Sequence, residues 1–246
     1  MKFLLAGIIL ITHLICNAGI AVVNGLSHLH SSTDAPLGGL IKIRNEGNKP
    51  ERVVLYLQDI YPHCEGTVEY KSVGLSSWIH LEMERVVLQP GAEVEVKYSF
   101  GEVSDTATSK WQVIMVESED PLSSTVTNGV SVLSKVRYAV QVVMHIGDYV
   151  PPPISFEEVR MPDKQTITVK IKNGGNFMSQ VQMKIEVLTE DGKVIKTLEG
   201  GSRKIYPGYC TTFSLMLEGI PSGKYAAVLV VDNGKDLFGS NLILTL

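Results

Sequence analysis

The sequence predicts an all-β protein: two sandwich domains in tandem behind an N-terminal signal peptide. Three observations predict it. Beyond residue 21 no apolar pattern at i, i+3, i+4 and i+7 is sustained, whereas short runs rich in Val, Ile, Thr and Tyr alternate with Gly, Pro, Asn and Asp. One pair of motifs occurs twice, at a domain-sized offset. Three successive prolines, Pro151-Pro152-Pro153, stand between the two copies.

The signal peptide comes first. Met1-Lys2 supplies a short positive start, and Phe3 to Ile15 is apolar except for Thr12 and His13. Cys16-Asn17-Ala18 and Gly19-Ile20-Ala21 both fit the small-x-small pattern of a cleavage site, so residues 1–21 read as leader. The run is too short for a bilayer span, which needs about 20 apolar residues. Ile15 stands where a lipobox requires a small residue, so Cys16 is not expected to carry lipid. The mature protein is expected in the periplasm or at the cell surface, with no membrane contact after cleavage.

The first domain, residues 22–148, opens the repeat. Ile41-Lys42-Ile43-Arg44-Asn45-Glu46-Gly47-Asn48 is an alternating strand running into an Asn-x-Gly-Asn turn. Val86-Val87-Leu88-Gln89-Pro90-Gly91 is an apolar run stopped by Pro-Gly and followed by a strand over Ala92–Phe100. Proline cannot donate to a ladder and glycine takes the positive φ of a tight turn, so the chain reverses there. Further strands are expected near Val53–Asp59, Trp111–Val116 and Val132–Ile146. The last has an unusually long alternation: Val136, Tyr138, Val140, Val142, Met144 and Ile146 share one face. It reads as a long last strand feeding the linker with one face in the core, or as an edge strand that offers its backbone to a partner. Residues 149–153 form a stiff, polyproline-like linker.

The second domain, residues 154–246, repeats the grammar. Val169-Lys170-Ile171-Lys172-Asn173-Gly174-Gly175-Asn176 answers the first motif at an offset of 128 residues. Lys204-Ile205-Tyr206-Pro207-Gly208 answers the second at 117. Glu190-Asp191-Gly192 and Asp232-Asn233-Gly234 mark hairpins. Two copies of strand, Asn-Gly turn, strand, Pro-Gly turn, strand point to two immunoglobulin-like sandwiches.

Composition excludes several functions. Lys+Arg is 22 against Asp+Glu 26, a net charge of −4, so there is no basic field for nucleic acid. Of three cysteines, Cys64 and Cys210 remain after cleavage, in different halves. They read as two unpaired thiols, one in a loop and one in a strand; an interdomain disulfide is the alternative in an oxidising compartment.

No GxSxG, HExxH, P-loop, GxGxxG or EF-hand pattern is present, and no enzyme activity, cofactor or metal is expected. His63 beside Cys64 reads as a loop neighbour rather than a catalytic partner. His28 and His30 share a face if extended, the spacing of a weak metal pair, but read as a polar strand face. Glu82 with Glu84, and Glu157 with Glu158, read as solvated faces. Trp78 and Trp111 sit in alternating apolar stretches and read as core rather than a sugar platform.

Four ordered elements, Ile41–Asn48, Trp78–Phe100, Ser109–Glu117 and Lys135–Ile146, resemble the amino-terminal domain of PapD-like periplasmic pilus-assembly chaperones. The resemblance implies a non-enzymatic protein that lends alternate apolar side chains of its long strand to an incomplete fibre subunit. Here these would be Val136, Tyr138, Val140, Val142 and Met144. The family also holds the subunit's terminal carboxylate with an Arg on the first strand and a Lys on the last strand of that domain. Lys135 or Arg137 would play the second part; no Arg or Lys lies between Val22 and Ile41 for the first. The expected partners are subunits of a surface fibre or another envelope protein. The alternative is a structural or adhesive envelope protein whose sandwiches act as spacers.

Overall fold

The structure, a computed structural model, describes residues 19–33, 38–73, 77–102, 106–120, 123–127 and 130–246, with backbone alone over 123–127 and 130–134. The leader sequence up to Ala18, including Cys16, lies outside the described residues. The described residues are all strands and turns.

Numbering strands along the chain, one sheet of the first sandwich runs β1 (Ile20–Val22), β3 (Gly38–Asn45), β8 (Glu93–Phe100), β6 (Ile79–Leu81). The facing sheet runs β2 (Ser27–Ser31), β12 (Arg137–Ile146), β9 (Thr108–Ser118), β4 (Glu51–Pro62), β5 (Val68–Ser72), with β7 (Arg85–Leu88) also on β4. β10 (Ser123–Thr127) and β11 (Val130–Ser134) pair only with each other. In the second sandwich β13 (Ile154–Arg160), β14 (Thr166–Asn173) and β17 (Cys210–Met216) form one sheet. The other runs β16 (Val194–Ile205), β15 (Ser179–Leu188), β18 (Lys224–Asp232), β19 (Leu237–Thr245). Alternation sends Ile41, Ile43, Val96, Ile114 and Val140 into the first core, and Ile167, Val169, Ile185, Phe213 and Leu229 into the second.

The repeated motifs turn out to be halves of one device. Asn45 is fully buried, and its Nδ2 donates to the carbonyls of Lys49 (2.7 Å) and Leu88 (2.9 Å), while its Oδ1 accepts the N–H of Gly47 (2.8 Å). Asn173 does the same with Phe177 (2.7 Å), Ile205 (2.9 Å) and Gly175 (2.9 Å). The backbone completes it: Gly91 N–H donates to the Asn45 carbonyl at 3.0 Å, and Gly208 N–H to that of Asn173 at 3.1 Å. Gly91 and Gly208 take φ of 73° and 78°, where a side chain would be strained. One buried amide thus ties the Asn-Gly turn to the Pro-Gly turn in each domain.

Three expectations change. The long final strand is not continuous: β12 pairs Arg137 with Glu117, but β11 pairs Ser134 with Ser123. More residues intervene on the β9 side than on the β12 side, so the ladder cannot run through. Ile20 and Ala21, read as leader, form β1 with Val22, and Ile20 is 1% exposed. Cys64 and Cys210, read as unpaired thiols, form a disulfide with Cα atoms 4.8 Å apart. The β4–β5 turn and the start of β17 meet only through domain packing, which local sequence does not encode.

That packing is specific. The Ser109 N–H and the Thr108 hydroxyl both donate to the Asn176 carbonyl at 2.9 Å. Ser109 Oγ accepts the Met178 N–H (2.7 Å), leaving its own proton for His145 Nδ1 (2.7 Å). Val143, Met178 and Tyr206 form a buried cluster, with Trp111 packed against Tyr206 at 4.9 Å between ring centroids.

Candidate partner-binding edge and interdomain cleft

β12 carries the residues singled out from the sequence, and the structure divides them by face. Val140, Val142 and Met144 are 0% exposed and belong to the first domain's own core. Val136 and Tyr138 pack against that core, and the Tyr138 hydroxyl donates to the Ile20 carbonyl at 2.9 Å. In the protein alone, Val140, Val142 and Met144 are therefore taken up by their own sandwich. Alternation defines two faces but not which one looks inward, and here the longer apolar face does.

Lys135 and Arg137 are engaged with one carboxylate. Arg137 lies 2.9 Å from Glu117, Lys135 lies 3.8 Å from it, and the Tyr56 hydroxyl donates to it at 2.8 Å. Burial pushes the Glu117 pKa up, but the hydrogen bonds from Arg137 and Tyr56 and the two positive charges outweigh it and hold the group below the usual carboxylate range.

What β12 does offer is backbone. β2 runs parallel to it only along Gln141–His145, because the chain leaves β1 at Asn24 and crosses to the facing sheet through Gly25 (φ 93°). Arg137–Val140 therefore pairs with β9 on one side alone, and β11 pairs with β10 alone. Among the described residues, no strand covers the outer edge of β11 or of this first part of β12. Unpaired N–H and C=O groups in a row are a template for a further strand.

At the inner end of that edge the cleft holds a cation that the sequence did not single out. Lys204, on β16 of the second domain, reaches back to the first: its Nζ donates to Gln141 Oε1 (3.1 Å) and to Ser27 Oγ. Tyr206 also donates to Gln141 Oε1, at 3.3 Å. Burial lowers the Lys204 pKa and raises that of Tyr206 to about 12. A hollow of about 340 Å³ adjoins it, lined by Ser27, Leu29, Val143, Tyr149, Met178 and Lys204. Nothing in the sequence linked Lys204 to β2 or β12, because the contact spans the domain boundary.

The other candidates take structural places. Tyr98 Oη lies 2.8 Å from both His28 Nδ1 and His30 Nε2, so the pair holds a buried phenol, whose pKa burial drives up. Trp78 is buried in the first core, and Trp111 is half-buried at the domain seam against Tyr206.

No family model matches the chain, and no curated protein matches it. Solved structures do. The class 5 fimbriae chaperone CfaA aligns over 93% of this chain and 100% of its own, with a TM-score of 0.53 and 13% identity. A chain from the CsuC-CsuE chaperone-tip adhesion subunit pre-assembly complex of the archaic chaperone-usher Csu pili of Acinetobacter baumannii aligns over 91% and 98%, with a TM-score of 0.53 and 10% identity. A chain from the chaperone-tip adhesin complex of CFA/I fimbriae biogenesis aligns over 93% and 98%, with a TM-score of 0.51 and 13% identity. At these identities the likeness is one of architecture. Two sandwiches, the strand that crosses between sheets and the long β9–β12 hairpin together give this protein the fold of the PapD-like fimbrial chaperones.

Proposed function

We propose that the protein is a non-enzymatic assembly factor that captures an incompletely folded β-sandwich subunit of a surface fibre. Capture occurs by strand addition along the open edge from Val130 to Val140. The observation that carries this reading is that edge, left bare by the described residues from β11 through the first part of β12. A subunit short of one strand has unpaired backbone of its own, and pairing satisfies both sets of groups. The proposed contact is through backbone and through β11, with Val140, Val142 and Met144 supporting the strand from below. Arg137 and Lys135 remain with Glu117. Lys204 takes the anchoring part: half-buried between Ser27 and Gln141, it offers a positive charge to a chain-end carboxylate in the cleft.

The test is co-purification from the periplasm of cells that also express their fibre subunits. The wild-type chain should bring down a subunit. A variant with residues 123–134 replaced by a tight turn, still folded by circular dichroism, should not, and Lys204→Gln should retain less. Recovery of the wild-type chain alone, or equal capture by the shortened variant, would sink the reading and favour a spacer role.

A further inference from the structure

The first described residues are built into the first sandwich. The Gly19 carbonyl accepts the Glu46 N–H at 2.8 Å. Ile20 is a core residue, and its carbonyl accepts the Tyr138 hydroxyl at 2.9 Å. Ile20, Ala21 and Val22 pair with Asn45, Arg44 and Ile43. The Ile20 partner is therefore Asn45, the amide that ties the two turns of this domain.

This bears on the two small-x-small sites. A cut after Gly19-Ile20-Ala21 would strip Ile20 from the core, unpair the edge of β3 and orphan both the Glu46 N–H and the Tyr138 hydroxyl. Losing a fully buried side chain of this size leaves a cavity in the core. A cut after Cys16-Asn17-Ala18 leaves Ile20, the β1–β3 pairing and both of these hydrogen bonds in place. A second observation bears on export rather than on the choice of site. Cys64 and Cys210 are paired, the mark of an oxidising compartment, and a cut at either site removes Cys16, the one cysteine left over.

We propose that the chain is an exported precursor hydrolysed at the Ala18–Gly19 bond by a membrane peptidase that reads small side chains on the leader side. Water adds its oxygen to the Ala18 carbonyl carbon and the C–N bond breaks. The leader keeps a carboxylate at Ala18, and the Gly19 nitrogen takes the proton to become the new α-amino group. The cut comes while the chain is still extended, before β1 joins β3. Loss of Lys2 takes Lys+Arg from 22 to 21 against 26 Asp+Glu, so the exported form carries −5.

Intact mass and N-terminal sequencing of the protein recovered from the periplasm of a bacterium expressing the whole gene test this. The expected first residues are Gly19-Ile20-Ala21-Val22. A start at Val22, at an acylated Cys16 or at Met1 would overturn the proposal. Two variants, analysed as denatured protein so that folding does not enter, sharpen it. Ala18→Tyr should abolish the start at Gly19, and Ala21→Tyr should leave it unchanged. Either variant behaving in the opposite way would refute the site.

Discussion

Asn45 and Asn173 are fully buried and each satisfy two carbonyls and one N–H, and no other side chain has that inventory at that length. Replacing either by Ala strands at least the buried carbonyl of Leu88 or Ile205 and should cost about 1–3 kcal/mol, read as a shift in the urea midpoint. Asn→Asp keeps the shape and the acceptor but loses both N–H donors, so it should be at least as damaging. If either Asn→Ala variant unfolds at the wild-type midpoint, the amide is not holding the turns. The sequence displayed both turns twice, yet not their link, because Asn45 and Leu88 are far apart in the chain and no local pattern pairs them. The same holds for Ser109 and His145. Burial lowers the pKa of His145, and burial first, then the charge of Lys204, lowers that of His28 against its backbone hydrogen bonds. The unfolded chain then takes up protons first as pH falls. Stability should be full above the ordinary histidine pKa of 6.5 and decline as pH drops through the folded-state values. Urea titrations between about pH 8 and 5.5, above the range of the carboxylates, check this. His145→Asn keeps an acceptor for Ser109, cannot charge, and should flatten part of the slope.

At the scale of the element, β12 serves two neighbours in succession. Its first part presents an unpaired edge; its second part is sandwiched between β2 and β9 and pressed on the second domain through Val143 and His145. Because Met144 is fully buried in its own core, Met144→Ala should cost about 2–5 kcal/mol in the protein alone, with no partner present. A wild-type midpoint for that variant would mean the side chain is not a core residue after all. Strand type and approximate position were legible from alternation and turn residues. The inward face was not, since both faces of this strand carry apolar residues and the deciding neighbour lies in the other domain. The short β1 was hidden for a different reason: Ile20-Ala21-Val22 directly follows an apolar leader, and three residues carry too little period to separate from it.

At the scale of the whole molecule, the two sandwiches are joined three times: by the proline linker, by the seam around Ser109 and Tyr206, and by the Cys64–Cys210 bond. That bond closes a separation of 146 residues, so its loss frees much of the unfolded chain. The double variant Cys64→Ser, Cys210→Ser should lose about 2–5 kcal/mol against the oxidised protein. Its urea unfolding should split into two transitions as the domains uncouple. A single transition at the oxidised midpoint would mean that the seam alone fixes the pair. The two-domain plan was readable from the repeat and the prolines. The disulfide was not, because proximity of two cysteines depends on the angle between domains, and that angle is set by the contacts of Trp111, Met178 and Tyr206.

Those contacts also give the molecule an optical gauge. Trp78 is buried in the first core, while Trp111 rests on Tyr206 of the other domain. A shift of one sandwich against the other should change the emission of one indole and leave the second as an internal standard. With Trp78→Phe, the fluorescence that remains follows the seam in real time, so the strand addition proposed for β12 becomes testable without a label.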